Sequence, residues 1–382
     1  MKRVFLLSCC FALVFSGNAF AKNKSTGFSL APDAPEKKFK EQKILKQDWS
    51  QSLKKGSPSK RYYPELSSPT LNGDTVYIGT QGMRFYAVNA ETGKEIWEYE
   101  NEDPISSKAV VVADQVIFTD LGGKLVCLNK DTGSLRWQTP LGNLSLGKPL
   151  VINDQIFLLK GEQEILSLSL ASGQVLWSKT IRGFVKDLTM HGQSSLVHDG
   201  QSLYVGLADG NLYKLAKNNG KVLWDTKLTV PLQSFKDIDA RVVVDGDSLY
   251  VGGYFGAFYR VRKTDGRVLW SAEVGTGVPA LVLDDLVVVS SPDGVLYGLE
   301  KSSGDQLWMN ELNESVTSTP VLVAGKIFVS SFNKKAYVLD PLTGQRLQSL
   351  SVGTGAITRP IVHNDQVYLL NNSARLMRFV RP

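Results

Sequence analysis

A Gly followed four positions later by a Trp recurs six times along the chain, as Gly93/Trp97, Gly133/Trp137, Gly173/Trp177, Gly220/Trp224, Gly266/Trp270 and Gly304/Trp308. A seventh copy, Pro341-Leu342-Thr343-Gly344, keeps the turn but carries Gln348 where the Trp is due. A unit of about 40 residues holding only strand and turn signals cannot bury its own apolar faces, so such units must stack on one another. That restricts the fold to a propeller or a related repeat array.

Each unit also contains an earlier hairpin turn between two β-rich runs. These turns fall at Asn72-Gly73, Ala113-Asp114, Asn153-Asp154, Asp199-Gly200, Asp245-Gly246, Asp284-Asp285, Ala324-Gly325 and Asn364-Asp365. Asn, Asp and Gly recur there because hairpin turns need positive φ. A further turn follows the second strand, as at Asp209-Gly210, and the Gly before each Trp marks a third. Three turns make four strands. Runs such as Leu286-Val287-Val288-Val289 are apolar without alternation, as expected of strands buried on both faces. The repeated Trp is then expected near the outer strand, filling the gap between neighbouring units.

The eighth unit, from Thr358 to Val380, stops after three strands, whereas Gln47-Asp48-Trp49-Ser50-Gln51-Ser52-Leu53 resembles an isolated fourth strand carrying the repeat's Trp. The expected fold is therefore all-β: an eight-bladed β-propeller of four-stranded antiparallel blades, its ring closed by the N-terminal strand. Closure removes sheet edges that would otherwise template aggregation. The competing arrangement is an open solenoid with an unrelated N-terminal strand.

Three segments are expected. Residues 1–21 read as a secretory signal, with Lys2 and Arg3, an apolar run from Val4 to Phe15, and Ala19-Phe20-Ala21 for cleavage. Residues 22–45 read as a flexible basic tether, and 46–382 as the propeller. Lipid attachment at Cys9 competes with this cleavage, but it would leave an apolar region of only four residues, Val4 to Leu7. No other stretch approaches the roughly 20 apolar residues of a transmembrane segment. Loss of the signal would leave Cys127 as the single thiol, expected to act as a small buried hydrophobe.

The net charge of +6 resides in the signal and in residues 22–60, which hold ten Lys against four acids, so the remainder stands at about −2. A nucleic-acid partner is not expected on that distribution. His191, His198 and His363 stand in separate neighbourhoods, with no metal-ligand spacing and no nucleophile elbow. Asp237-Ile238-Asp239 lacks the further oxygens that calcium requires. No catalytic, cofactor or metal site is expected, and the chain reads as a binding protein.

The repeat is uneven. From Trp to the next hairpin most units use about 15 to 17 residues, but after Trp177 and Trp224 the interval grows to 22 and 21. Segments 178–196 and 225–241 are thus enlarged connectors between successive blades, expected to protrude side by side on one rim, where repeat proteins place binding loops.

The Thr-Gly-x-x-x-Trp repeat, with strands such as Gly210-Asn211-Leu212-Tyr213-Lys214-Leu215, resembles that of pyrroloquinoline-quinone dehydrogenases and their cofactor-free relatives. Over residues 45–382 the chain resembles the BamB family of outer-membrane β-barrel assembly factors. Phe235-Lys236-Asp237-Ile238-Asp239 is similar to the acidic connector through which that family contacts the periplasmic domains of BamA, and Leu188-Thr189-Met190-His191-Gly192 resembles its second contact segment, with His191 in place of the family's Arg. The resemblance implies a scaffold of the barrel-assembly (BAM) machinery at the periplasmic face of the outer membrane. Its implied partners are BamA, other BAM components and nascent outer-membrane proteins, met through Leu188, Met190, His191, Asp237 and Asp239. Two rival functions are a propeller serving another complex or a cell-wall ligand, and a quinone-dependent dehydrogenase. The latter would need a calcium-ligand set and a vicinal Cys pair in the mature chain, and the only Cys-Cys, Cys9-Cys10, lies in the signal.

Overall fold

The computed structural model describes residues 41–54, 64–143, 145, 147–161, 163–181, 194–228, 238, 240–254, 256–312 and 316–382. Among these there is no helix, and thirty-two strands form eight separate four-stranded antiparallel sheets. Blade 1 is representative, with strands Thr70–Asn72, Thr75–Gly79, Arg84–Asn89 and Glu95–Glu100 in consecutive order. Blade 8 is the exception. Its strands Ile361–His363, Gln366–Leu370 and Arg375–Val380 are completed by Lys46–Ser52, which pairs antiparallel to the last strand from Lys46 opposite Val380 to Ser52 opposite Arg375. The closed eight-bladed ring expected from the repeat is the fold.

Burial follows strand position. First strands are short and lean on one another around the axis, as Val110–Val112 does on Thr70–Asn72 and on Leu150–Ile152. Second and third strands are buried along most of their length, and fourth strands alternate between exposed and partly buried residues. The apolar interior is divided into eight clusters, each drawn from two neighbouring blades. Val76 and Ile78 of blade 1, for instance, pack with Tyr368 and Leu370 of blade 8. With the core distributed between blades, the axis itself needs no apolar filling.

The recurring Gly and Trp work between blades. Each Trp lies beneath the turn glycine of the following blade: Trp49 under Gly93, Trp97 under Gly133, Trp137 under Gly173, Trp177 under Gly220, Trp224 under Gly266, Trp270 under Gly304 and Trp308 under Gly344. Gly93 has φ +70°, and a Cβ there would stand 2.8 Å from the Trp49 ring, so conformation and contact both demand glycine. Five of the indoles also donate Nε1–H to a carbonyl of that turn, including Trp49 to Ala90 at 3.1 Å and Trp308 to Pro341 at 2.9 Å. A β-bulge sits beside every Trp, and the extra residue faces solvent, which explains exposed Ile96, Leu176, Leu223, Leu269 and Leu307.

The interface between blades 7 and 8 is built differently. Blade 8 takes its outer strand from the N-terminus, so it has no third-to-fourth turn and no glycine to receive an indole. Gln348 occupies the Trp position and its side-chain amide clasps the entering chain: Nε2 donates to the Leu45 carbonyl at 2.7 Å, and Oε1 accepts from the Leu45 and Ile44 amides at 2.9 and 3.0 Å. Gln42 N–H donates to the Leu347 carbonyl, and Leu45 is buried. Residues 41–45, assigned to the tether by composition, therefore already lie against blade 7. Arg378 fastens the other side. It is 5% exposed, pairs with Asp48 at 3.2 Å and with Glu91 at 2.9 Å, and so joins the first strand, the last strand and blade 1.

Removing residues up to Ser52 should destabilise the entire ring, because it opens two inter-blade clusters at once. Trp49→Ala alone should cost about 3–5 kcal/mol. Urea melts of both variants check this, and an unchanged midpoint for a chain beginning at Leu53 would contradict closure.

Candidate functional site

Leu188, Met190, His191, Asp237 and Asp239 all lie outside the described residues, but the segments that anchor their connectors are described. Both converge on one point of blade 4. Ser194, ending the first connector, donates its hydroxyl to the Gly206 carbonyl at 3.0 Å. Ile238, near the end of the second, is 3% exposed, packs among Tyr204, Leu212 and Val251, and sits so close over Gly206 that a Cβ there would collide with it. Its amide donates to the Leu207 carbonyl. Blade 1 uses the same seat in an ordinary connector: Ile105 lies over Gly79 and its amide donates to Thr80. Ile238 thus keeps the standard anchorage despite the longer loop.

The axis at this end of the ring carries charge. The residue two places before each first strand is Ser68, Lys108, Lys148, Ser195, Arg241, Pro279, Thr319 and Arg359 in turn, and all eight line one chamber of about 110 Å³. Lys108, Lys148, Arg241 and Arg359 also line the wider channel below it, of about 860 Å³, whose walls are the apolar first strands. Arg359 is open to the lumen and the other three are half-buried, with protein close around all four. Burial lowers the Lys108 ammonium well below its usual range, and Arg359, Lys148 and Arg241 lower it further. Lys148 falls to about 8, through burial first and then Arg241 and Arg359. Among the described residues none of the four has a carboxylate partner, and Arg241 Nε is buried without a hydrogen-bond acceptor.

One acid lines the same chamber. Glu65 is 4% exposed and accepts the Gln81 amide at 2.8 Å. Burial raises its pKa to about 8, against the lowering effects of that hydrogen bond and of Lys54, so it is mostly protonated at neutral pH.

Elsewhere the chemistry is quiet. No group of His, Cys, Asp and Glu suited to a metal occurs among the described residues. Cys127 is buried opposite Trp137, and burial pushes its thiol up to about 12, as suits a small core residue. No helix among the described residues is long and apolar enough to cross a membrane. The axial cations were missed by a net-charge count because they are scattered over some 250 residues. Aligning the units by the position two places before each first strand would have exposed them.

A sequence profile described as "Outer membrane protein assembly factor BamB" matches residues 41–108, 101–308 and 232–381. A Pseudomonas aeruginosa protein of that name is 33% identical over 355 residues, covering 91% of this chain and 92% of its own length. The crystal structure of BamB from Moraxella catarrhalis has a TM-score of 0.78 at 21% identity, over 88% of this chain and all of that one (100%). The quinohemoprotein alcohol dehydrogenase from Comamonas testosteroni reaches 0.72 at 12% identity, over 88% of this chain and 76% of its own. At such identities the two structures share the fold alone.

Glu65 generates a pH test. Its folded pKa, about 8, lies above its ordinary 4.5, so the native state retains a proton that the unfolded state releases. Its stabilising contribution is complete below the unfolded value and is lost as pH rises towards 8. Glu65→Gln, which stays neutral, should melt level with the wild type near pH 4.5 and above it at pH 8.5. A wild-type advantage at pH 8.5 would contradict the burial argument.

Proposed function

Because the chain belongs to the family of outer membrane protein assembly factor BamB, we propose that it is a non-catalytic scaffold that docks on BamA through its two enlarged connectors and aids insertion of barrel proteins. It would act in the periplasm at the inner face of the outer membrane, delivered by the signal at 1–21, with residues 22–40 as a basic tether. The quinohemoprotein dehydrogenase shares only the ring, so its chemistry is not carried over.

The observation that supports docking here is the convergence on Gly206. Ser194 and Ile238 tie the ends of both connectors to the same residue, so the two long loops depart from neighbouring points on a rigid blade. Ile238 is fixed inward, and an extended chain on either side of it would turn the Asp237 and Asp239 side chains away from the propeller. Two carboxylates so presented would meet basic groups on BamA together, with Leu188 and Met190 supplying apolar contact from the adjacent loop and His191 beside them. Rigid support reduces the ordering cost of binding.

Asp237→Ala with Asp239→Ala should abolish capture of purified BamA periplasmic domains. Truncating one member of a desolvated charge pair costs on the order of 2–5 kcal/mol, while free loop charges change folding stability by less than about 0.5 kcal/mol. Leu188→Ala with Met190→Ala should act in the same direction. Ile238→Ala is the contrasting variant, expected to lower folding stability by about 2–5 kcal/mol, read as a lower melting midpoint. Wild-type capture by the quadruple loop variant would remove this rim as the docking surface.

A further inference from the structure

The four axial cations take no part in docking through the connectors, and their arrangement is costly unless something answers it. Lys108, Lys148, Arg241 and Arg359 come from four different blades, occupy one repeat position, and face one another across a chamber of about 110 Å³. Nothing in the packing requires charge there, since the same position is Ser68, Ser195, Pro279 and Thr319 in the other four blades. Among the described residues the one acid lining the chamber is Glu65, whose Oε2 accepts the Gln81 N–H. Arg241 Nε is buried with no acceptor. Four cations with no carboxylate partner among the described residues, around a chamber of about 110 Å³ at the mouth of the wider channel, describe a receptor for a small, highly charged anionic group.

We propose that this axial ring binds a phosphate group, with Lys108, Lys148, Arg241 and Arg359 enclosing a single tetrahedral dianion. A tetrahedral group offers acceptor oxygens towards several blades at once, whereas a carboxylate offers two in one plane. Arg241 and Arg359 supply forked donors and the two lysines supply compact charges. The channel below is walled by Val110, Val151, Leu281, Leu322 and Ile361, so an apolar group esterified to the phosphate would have a surface to lie against. The ligand is thus either the free ion or the head of an organic phosphate.

Calorimetric titration of the full chain with inorganic phosphate and with phenyl phosphate, at constant ionic strength in chloride, tests this. Saturable binding of one phosphate per chain is expected. Lys148→Ser with Arg241→Ser, which installs the residue already used at positions 68 and 195, should weaken it on the order of tenfold or more. Tighter binding of phenyl phosphate would identify an organic phosphate, and equal binding the free ion. Circular dichroism verifies folding of the variant, and Arg359→Ser at the most open position replaces it if it does not fold. No saturable binding of either probe, or an unchanged Kd in a folded variant, overturns the proposal. Leu188→Ala with Met190→Ala should bind phosphate as wild type does, so failure of BamA docking and failure of the anion site are separable.

Discussion

Everything in this ring depends on an indole lying under a glycine of the next blade. The contact joins the fourth strand of one sheet to the third turn of its neighbour, and it is repeated at seven of eight interfaces. A glycine at positive φ lets the turn descend onto the ring plane, the indole fills the wedge between two twisted sheets, and in five cases its N–H answers a carbonyl of the same turn. Ring closure needs the eighth interface as well. There the chain entering at Glu41 replaces the turn, and Gln348 replaces the Trp because a backbone segment, rather than a glycine bend, must be held.

Distributing the core among eight thin layers has two consequences for function. The axis is left unfilled, so residues at its mouth are free to carry charge, and four of eight do. The described parts of the connectors are seated by a few buried side chains, as Ile105 seats one and Leu228 and Ile238 another, and lengthening a loop between such anchors costs little entropy. The blades on either side of the longer intervals after Trp177 and Trp224 keep the same four-stranded order as the others.

Much of this was legible in the sequence for a physical reason: a repeat turns weak local signals into a strong collective one. The eight hairpin turns, the tryptophans and the orphan strand around Trp49 gave blade number and closure. Gln348 read as a lost Trp, because its partner at Leu45 is 303 positions away and follows no local pattern. The contact of residues 41–45 with blade 7 was hidden in the same way, by a Lys-rich composition that resembles solvated chain. The axial cations escaped notice because each is unremarkable among its own neighbours. Exposed apolar residues such as Ile96 and Leu176 depart from the burial on both faces expected of apolar strands, because each is the extra residue of the bulge beside its Trp.

Outward apolar residues of this kind stand on blades 1, 3, 4, 5 and 6, so the molecule offers two quite different surfaces to a partner: an apolar strip along its sides and the charged rim from which the connectors leave. Hydrogen–deuterium exchange of the chain with and without the BamA periplasmic domains decides between them. Docking as proposed predicts added protection confined to peptides from 178–196 and 225–241. Protection on the fourth strands carrying Ile96, Leu223 and Leu307, with those connectors unchanged, would contradict it.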